Sequence, residues 1–264
     1  MRRAVLIVSL MGLCSLLLPS SSSLAVDAQR RWTGTFAEGF EDVDTVEQLF
    51  QPDVARWTGI RLRPRNGRNR LEISSRRVHR GRHALHCLAA PTTGASVSSA
   101  GIEKVWWRVV EGEVIELSGW LYLVGHAHVP GLAVGAIETP MPGGGWGGLE
   151  VILTDRNELA IERRTFGLPT ICQPMESLVD FPRNRWVQIR LTARLTPQEH
   201  GSVALWQNGR KLVDMDHVAT IPQQVQGLPD GAPETSSRIA LGITAAPEQT
   251  NVELYMDDLS IACH

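Results

Sequence analysis

Apolar and polar residues alternate with a period of two along most of the chain, the pattern of half-buried strands, and a helical period is hardly ever sustained. From Trp186 to Leu195 the apolar positions are Val187, Ile189, Leu191, Ala193 and Leu195, with Gln188, Arg190, Thr192 and Arg194 between them. Ser202 to Trp206 alternates in the same way, and Lys211 to Met215 returns after Gln207-Asn208-Gly209-Arg210. Asn-Gly accepts the positive φ angles of a tight hairpin turn. Leu149 to Thr154 and Glu158 to Arg163 flank Asp155-Arg156-Asn157 as a second predicted hairpin. Glu116 to Val124 puts Leu117, Gly119, Leu121 and Leu123 on one face and Ser118, Trp120, Tyr122 and Val124 on the other. A strand covered by core on one side and by a ligand or loop on the other has this composition. Helix is predicted only at Asp44 to Phe50, for one or two turns capped by Asp44 or Thr45 and closed by Pro52. Glycine and proline mark Pro140 to Gly148, Gly167 to Pro174 and Pro222 to Pro233 as loops. The pattern predicts an all-β, two-sheet antiparallel sandwich.

Two acidic segments bracket these strands: Gly39-Phe40-Glu41-Asp42 near the start, and Val252 to Ile261, with Asp257-Asp258 inside it, at the end. They suggest that the two ends of the chain meet. Ahead of the first lies Met1-Arg2-Arg3, an apolar run from Ala4 to Leu18, and Ser23-Leu24-Ala25. That is the layout of a secretory signal, and the run is shorter than the roughly 20 residues a bilayer span requires. The expectation is an exported protein, extracellular or periplasmic, with residues 1–25 removed, no remaining membrane span and one domain over residues 26–264. Losing Arg2 and Arg3 takes the formal charge from −2 to −4, which points to no strongly charged partner overall.

Charge is nevertheless uneven. Ten arginines fall between Arg56 and Arg82 with Glu72 the only acid among them, while lysine occurs only at Lys104 and Lys211. Arginine's planar fork suits carboxylate, sulfate or phosphate, but with so little lysine present arginine also fills ordinary surface positions. Nucleic acid is not indicated, because no recognisable binding module accompanies the segment. Three cysteines follow the signal: Cys87, Cys172 and Cys263. One bridge and one free thiol is the expectation for an oxidising compartment. Cys87 and Cys263 are both in phase with core positions, and the two pairings involving Cys172 stay open.

Ser118-Gly119-Trp120-Leu121-Tyr122-Leu123, the Trp186 to Leu195 strand, the hairpin at Asn208-Gly209 and the closing Tyr255-Met256-Asp257-Asp258-Leu259 resemble the concanavalin A-like jelly rolls, in their polysaccharide-lyase-like and laminin-G-like branches. The resemblance covers roughly Phe36 to His264. It implies two curved antiparallel sheets with a concave face that in many relatives holds an oligosaccharide. In several such relatives an acidic residue after an early phenylalanine and an aspartate of a terminal Asp-Asp pair hold a structural Ca²⁺, and Glu41 and Asp257 occupy the matching positions. The Glu-x-Asp-x-x-Glu signature of laminarinase-like relatives is absent, and of the alginate-lyase strand motifs only Arg70-Leu71-Glu72 has matching letters.

Function does not follow from such a fold, so the site must be argued from residues. Elimination from a uronate needs a base near the sugar's C5 proton and a group that neutralises the carboxylate. Tyr122 shares a face with Trp120, His126 lies just beyond that strand, and Arg190 and Arg194 share one face of the Trp186 to Leu195 strand; if the Tyr122 face is concave these four meet over a substrate, and they are the candidate catalytic residues of a lyase. For ligand binding the candidates are Trp120, Trp206, Glu150 and Trp146, the last within a run of glycines that lets an indole reach a sugar ring. His126-x-His128 lacks a third metal ligand by spacing. The leading expectation is non-catalytic binding of a glycan, anionic in some cases, through the concave face and the Trp146 loop. The alternatives are a polysaccharide lyase or glycoside hydrolase acting on an acidic glycan, and an adhesion module without a sugar site.

Overall fold

The structure is a computed structural model that describes residues 34–50, 56–64, 68–92, 97–141, 145–164, 167–222, 234–247 and 250–264. Residues 1–25, where a signal is expected, Pro52 and most of the 222–233 loop lie outside the described residues, as do the side chains of Trp106 and Trp107. In chain order the strands are β1 (Gly34–Glu38), β2 (Gly59–Arg63), β3 (Arg70–Ser74), β4 (Ala84–Ala89), β5 (Ser98–Val110), β6 (Val114–Leu123) and β7 (Leu132–Pro140). They continue with β8 (Trp146–Leu153), β9 (Leu159–Arg164), β10 (Trp186–Arg194), β11 (Gly201–Gln207), β12 (Arg210–Val218), β13 (Glu234–Ala246) and β14 (Val252–Cys263). Described helical residues form only short 3-10 turns, one of them at Val46–Phe50. There the Gln48 side chain accepts from the backbone N–H groups of Asp44 and Thr45 at 2.6 and 3.1 Å. The predicted helix is therefore one tight turn, closed by Gln48 rather than by a side chain of Asp44 or Thr45.

Two antiparallel sheets result. The larger has the order β12-β11-β10-β6-β14-β4-β3, and β1 pairs with the later half of β14; the smaller runs β2-β5-β13-β7-β8-β9. Alternation is what makes this packing possible. In β10, Val187, Ile189, Leu191 and Ala193 point inward, and in β6 Ile115, Leu117, Leu121 and Leu123 do the same. Burying each leucine or valine contributes about 1.5–3 kcal/mol. Gly119 lies on the same inner face, where the Leu259 side chain fills the space a Cβ would need. Both predicted hairpins form, with Asn208 (φ 49°) and Gly209 (φ 78°) in one turn and Asn157 (φ 59°) in the other. The fold is the predicted jelly-roll sandwich.

Strand β14 decides much of the rest. It pairs with β6 along most of its length, and on its other edge with β4 first and β1 afterwards. A bulge falls between Asp257 and Ser260, with Asp258 at φ 47°. The extra residue restores the inward phase of Leu259 and Ile261 and leaves two adjacent carboxylates free to act locally.

Register also corrects the cysteine expectation. Cys87 lies opposite Leu254, and Cys263 is nine residues further along β14, a separation of about 30 Å at strand rise. A disulfide needs Cα atoms within about 7 Å. None of the three is in a disulfide: Cys87 and Cys263 are buried and Cys172 is exposed.

Candidate functional site

Residues 75–83, which join β3 to β4, are gripped by both acidic brackets. Glu41 accepts the backbone N–H of Arg82 at 2.8 and 2.9 Å and that of His83 at 3.0 Å. Those donors hold its carboxyl below the usual range. Gly81, at φ +71°, lets the turn close directly over this carboxylate, which occupies the place of a Cβ. From the other end of the chain, Asp257 Oδ2 accepts from His79 N at 2.8 Å and Arg80 N at 3.1 Å, and Asp257 Oδ1 accepts from Asp258 N at 2.8 Å. Burial pushes the Asp257 carboxyl up while these N–H groups pull it down, and burial prevails. Asp258 Oδ2 lies 2.6 Å from His79 Nδ1.

The pinned turn sets two side chains on the outer face of the larger sheet. Across that face runs one row of cross-strand neighbours: Glu72 on β3, His86 on β4, Tyr255 on β14, Tyr122 on β6 and Trp186 on β10. Arg77 donates to the Tyr122 hydroxyl at 2.9 Å, with its guanidinium 4.6 Å from the Tyr122 ring centroid and 5.8 Å from that of Tyr255. No carboxylate pairs with Arg77 among the described residues. His86 stacks on Tyr255 at 4.5 Å, and the Tyr255 hydroxyl donates to Glu253 at 3.0 Å. Burial, then Glu253, pushes the Tyr255 phenol up. His86 Nε2 is 3.2 Å from Glu253 Oε1 but makes no hydrogen bond of good geometry, so that attraction is Coulombic and requires a charged ring.

The residues singled out from sequence divide among several places. Tyr122 is in the row, between Tyr255 and Trp186. Trp120 is beside it, with its ring covered by the His79 imidazole at 3.8 Å, so it serves as a platform for protein before any sugar. Arg190 and Trp206 are cross-strand partners two positions further along the same outer face, stacked at 4.1 Å. Arg194 instead turns to the Gly112 carbonyl at 3.1 Å, and His126 to the Asn184 amide at 3.1 Å; no contact joins either to Tyr122. His128 bonds the Asp155 carbonyl at 2.6 Å, on a separate segment.

Trp146 and Glu150 belong to the other sheet and are no part of this face. Trp146 covers the Arg238 guanidinium at 3.9 Å. Glu150 is buried and accepts from Arg164 at 2.8 Å. With Glu138 they join an ion-pair network: Arg61 reaches Glu138 at 2.8 and 3.3 Å, and Arg238 reaches Glu138 at 2.7 Å and Glu103 at 3.1 Å. Burial alone would raise the Glu138 carboxyl, but Arg61 and Arg238 outweigh it and hold it low. The arginine-rich segment is thus split, with Arg61 paired to glutamate on one sheet and Arg77 open on the other.

Glu41 and Asp257 do clip the ends of the chain together, through the backbone donors of residues 79–83. For Ca²⁺, their oxygens would have to turn from N–H donors to a shared point. As arranged here those oxygens face N–H donors. Sequence reasoning missed Arg77, His79, His86 and Glu253. Arg77 was counted within the basic run, and nothing in spacing shows that a loop residue reaches Tyr122 across 45 positions.

No family model matches the chain, and no curated protein matches it in sequence. Solved structures do match in fold. An endo-β-1,4-glucuronan lyase from the fungus Trichoderma reesei superposes with a TM-score of 0.59 at 16% identity, covering 78% of this chain and 90% of that one. A cellulose-induced protein, Cip1, gives 0.56 at 15% identity over 86% of this chain and 96% of that one. A marine PL-14 alginate lyase from Aplysia kurodai gives 0.55 at 10% identity over 89% and 100%. The likeness shows the fold: a β-sandwich jelly roll of the type found in polysaccharide lyases.

Proposed function

We propose that this protein is an exported polysaccharide lyase that acts on an acidic glycan bound to the outer face of the larger sheet. The observation that carries the reading is Arg77, set by a pinned turn over Tyr122 and Tyr255 with no carboxylate partner among the described residues. An arginine fork presents two parallel donors to a uronate carboxylate, and neutralising that group is what makes the neighbouring C5 proton removable. Tyr122, hydrogen-bonded to the same guanidinium, is positioned to move a proton beside it. The elimination breaks the C5–H bond and then the C4–O bond. The C–H electron pair becomes the C4=C5 double bond, and the glycosidic oxygen leaves with a proton. The proteins that share the fold include a glucuronan lyase and an alginate lyase, which favours this reading over binding alone.

Incubation with a panel of acidic and neutral glycans, followed by ultraviolet absorbance of the unsaturated uronate, tests the proposal. New absorbance on an acidic glycan is expected, and its loss in Arg77→Ala. Binding without absorbance would return the protein to the non-catalytic reading, and no response to any glycan would leave the adhesion module.

A further inference from the structure

We infer that Arg190, held over the Trp206 ring, is a second anion-binding position on the same face, so that the site reads negative charge at two places along one glycan chain. The inference rests on the proposed glycan site and extends it from one sugar unit to a chain. Four cross-strand neighbours form the row: Ser118 on β6, Arg190 on β10, Trp206 on β11 and Lys211 on β12. The Arg190 guanidinium lies 4.1 Å from the Trp206 ring centroid, and the Lys211 ammonium approaches the same indole at 5.6 Å.

Pairing separates these two cations. Lys211 is tied to Asp214 at 2.6 Å, whereas no carboxylate partners Arg190 among the described residues. On the opposite sheet Arg61, Arg164 and Arg238 are each satisfied by glutamate. The contact with the indole face holds the Arg190 guanidinium in place and removes much of the rotamer freedom that an anion would otherwise have to quench. Ser118 beside it is small and leaves the floor of the face low at this point.

The spacing gives the consequence. Ser118 is four residues from Tyr122 along β6, about 13 Å at strand rise. That is more than one sugar ring spans, so a group at Arg77 and a group at Arg190 belong to different units of the chain. A polymer charged on successive units engages both arginines, and a short oligosaccharide engages only the first.

Calorimetric titration with acidic oligosaccharides of increasing length, and with neutral ones of the same lengths, tests the inference on the wild type, Arg190→Gln and Trp206→Ala. Arg190→Gln is expected to bind the longest acidic chains about tenfold more weakly, as the loss of a charge-assisted hydrogen bond implies. Its affinity for the shortest acidic chain and for neutral chains stays unchanged, and Trp206→Ala follows the same pattern. Equal affinity of wild type and Arg190→Gln for long acidic chains would overturn the second position and leave the Arg77 site standing. If the wild type binds no acidic chain of any length, the second position falls together with the function proposed above. Circular dichroism of both variants separates a lost contact from a lost fold.

Discussion

Arg77 donates to the Tyr122 hydroxyl at 2.9 Å, and this single bond joins a loop that follows β3 to the end of β6 in the same sheet. It depends on acids from both ends of the chain, because Glu41 and Asp257 hold the backbone of residues 79–83 that fixes where Arg77 lies. A cation and a phenol are brought together there by hydrogen bonds that belong to the architecture.

Tyr122→Phe keeps the ring against Arg77 and Trp186 and removes only the oxygen. Turnover of an acidic glycan is expected to fall by roughly 10²-fold or more, with binding of that glycan near the wild-type level. Initial rates from uronate absorbance, together with calorimetric titration, separate the two effects. A variant with wild-type turnover would exclude Tyr122 from the proton transfer.

Glu41→Ala is expected to lower the melting temperature, since two backbone donors lose their acceptor. Glu41 has its carboxyl held below the ordinary value of 4.5 in the folded chain. Its contribution is therefore present above the unfolded value and is lost as pH falls through the lower folded one. The difference in melting temperature between wild type and Glu41→Ala should shrink in that acid window. The same scans with excess chelator test the calcium proposal: no change is expected, and a chelator-induced drop in wild type that Glu41→Ala abolishes would establish the ion.

Glu138→Gln removes the charge that three arginines surround. Glu138 is fully buried, with Arg61 at 2.8 Å, Arg238 at 2.7 Å and Arg164 at 3.7 Å. Breaking a buried pair from one side leaves its partners uncompensated and costs about 3–5 kcal/mol. Urea unfolding should show that loss while glycan turnover per folded molecule stays unchanged, because the network is on the other sheet.

Thiol labelling of the native protein without reductant should modify Cys172 rapidly and spare Cys87 and Cys263, with all three reacting after denaturation. Cys87 is sealed in the core, where burial pushes its thiol up to about 12. Protection of a pair of thiols in the denatured, unreduced chain would show a bridge.

Much of the architecture could be read from local alternation. Val187 to Leu195, the Asn208-Gly209 turn and the two faces of β6 follow from a side-chain period of two and from residues that accept positive φ, and these are properties of short segments. Tyr122 could be placed on the outer face for the same reason, since its face can be assigned within its own strand. The alternation breaks at β14, where the bulge after Asp257 changes phase, so that Met256 and Leu259 both point inward.

What the sequence by itself determined is therefore the class of fold, the inward and outward faces of its strands, and the meeting of its two ends. Tertiary structure alone decided the site. Strand order placed Tyr255 beside Tyr122, put Trp146 and Glu150 on the opposite sheet, and drew Arg77 over the tyrosines from far along the chain. The physical reason is that alternation encodes which face a residue occupies, whereas the neighbours it meets there come from pairing between distant strands and from a loop held by the carboxylates of Glu41 and Asp257.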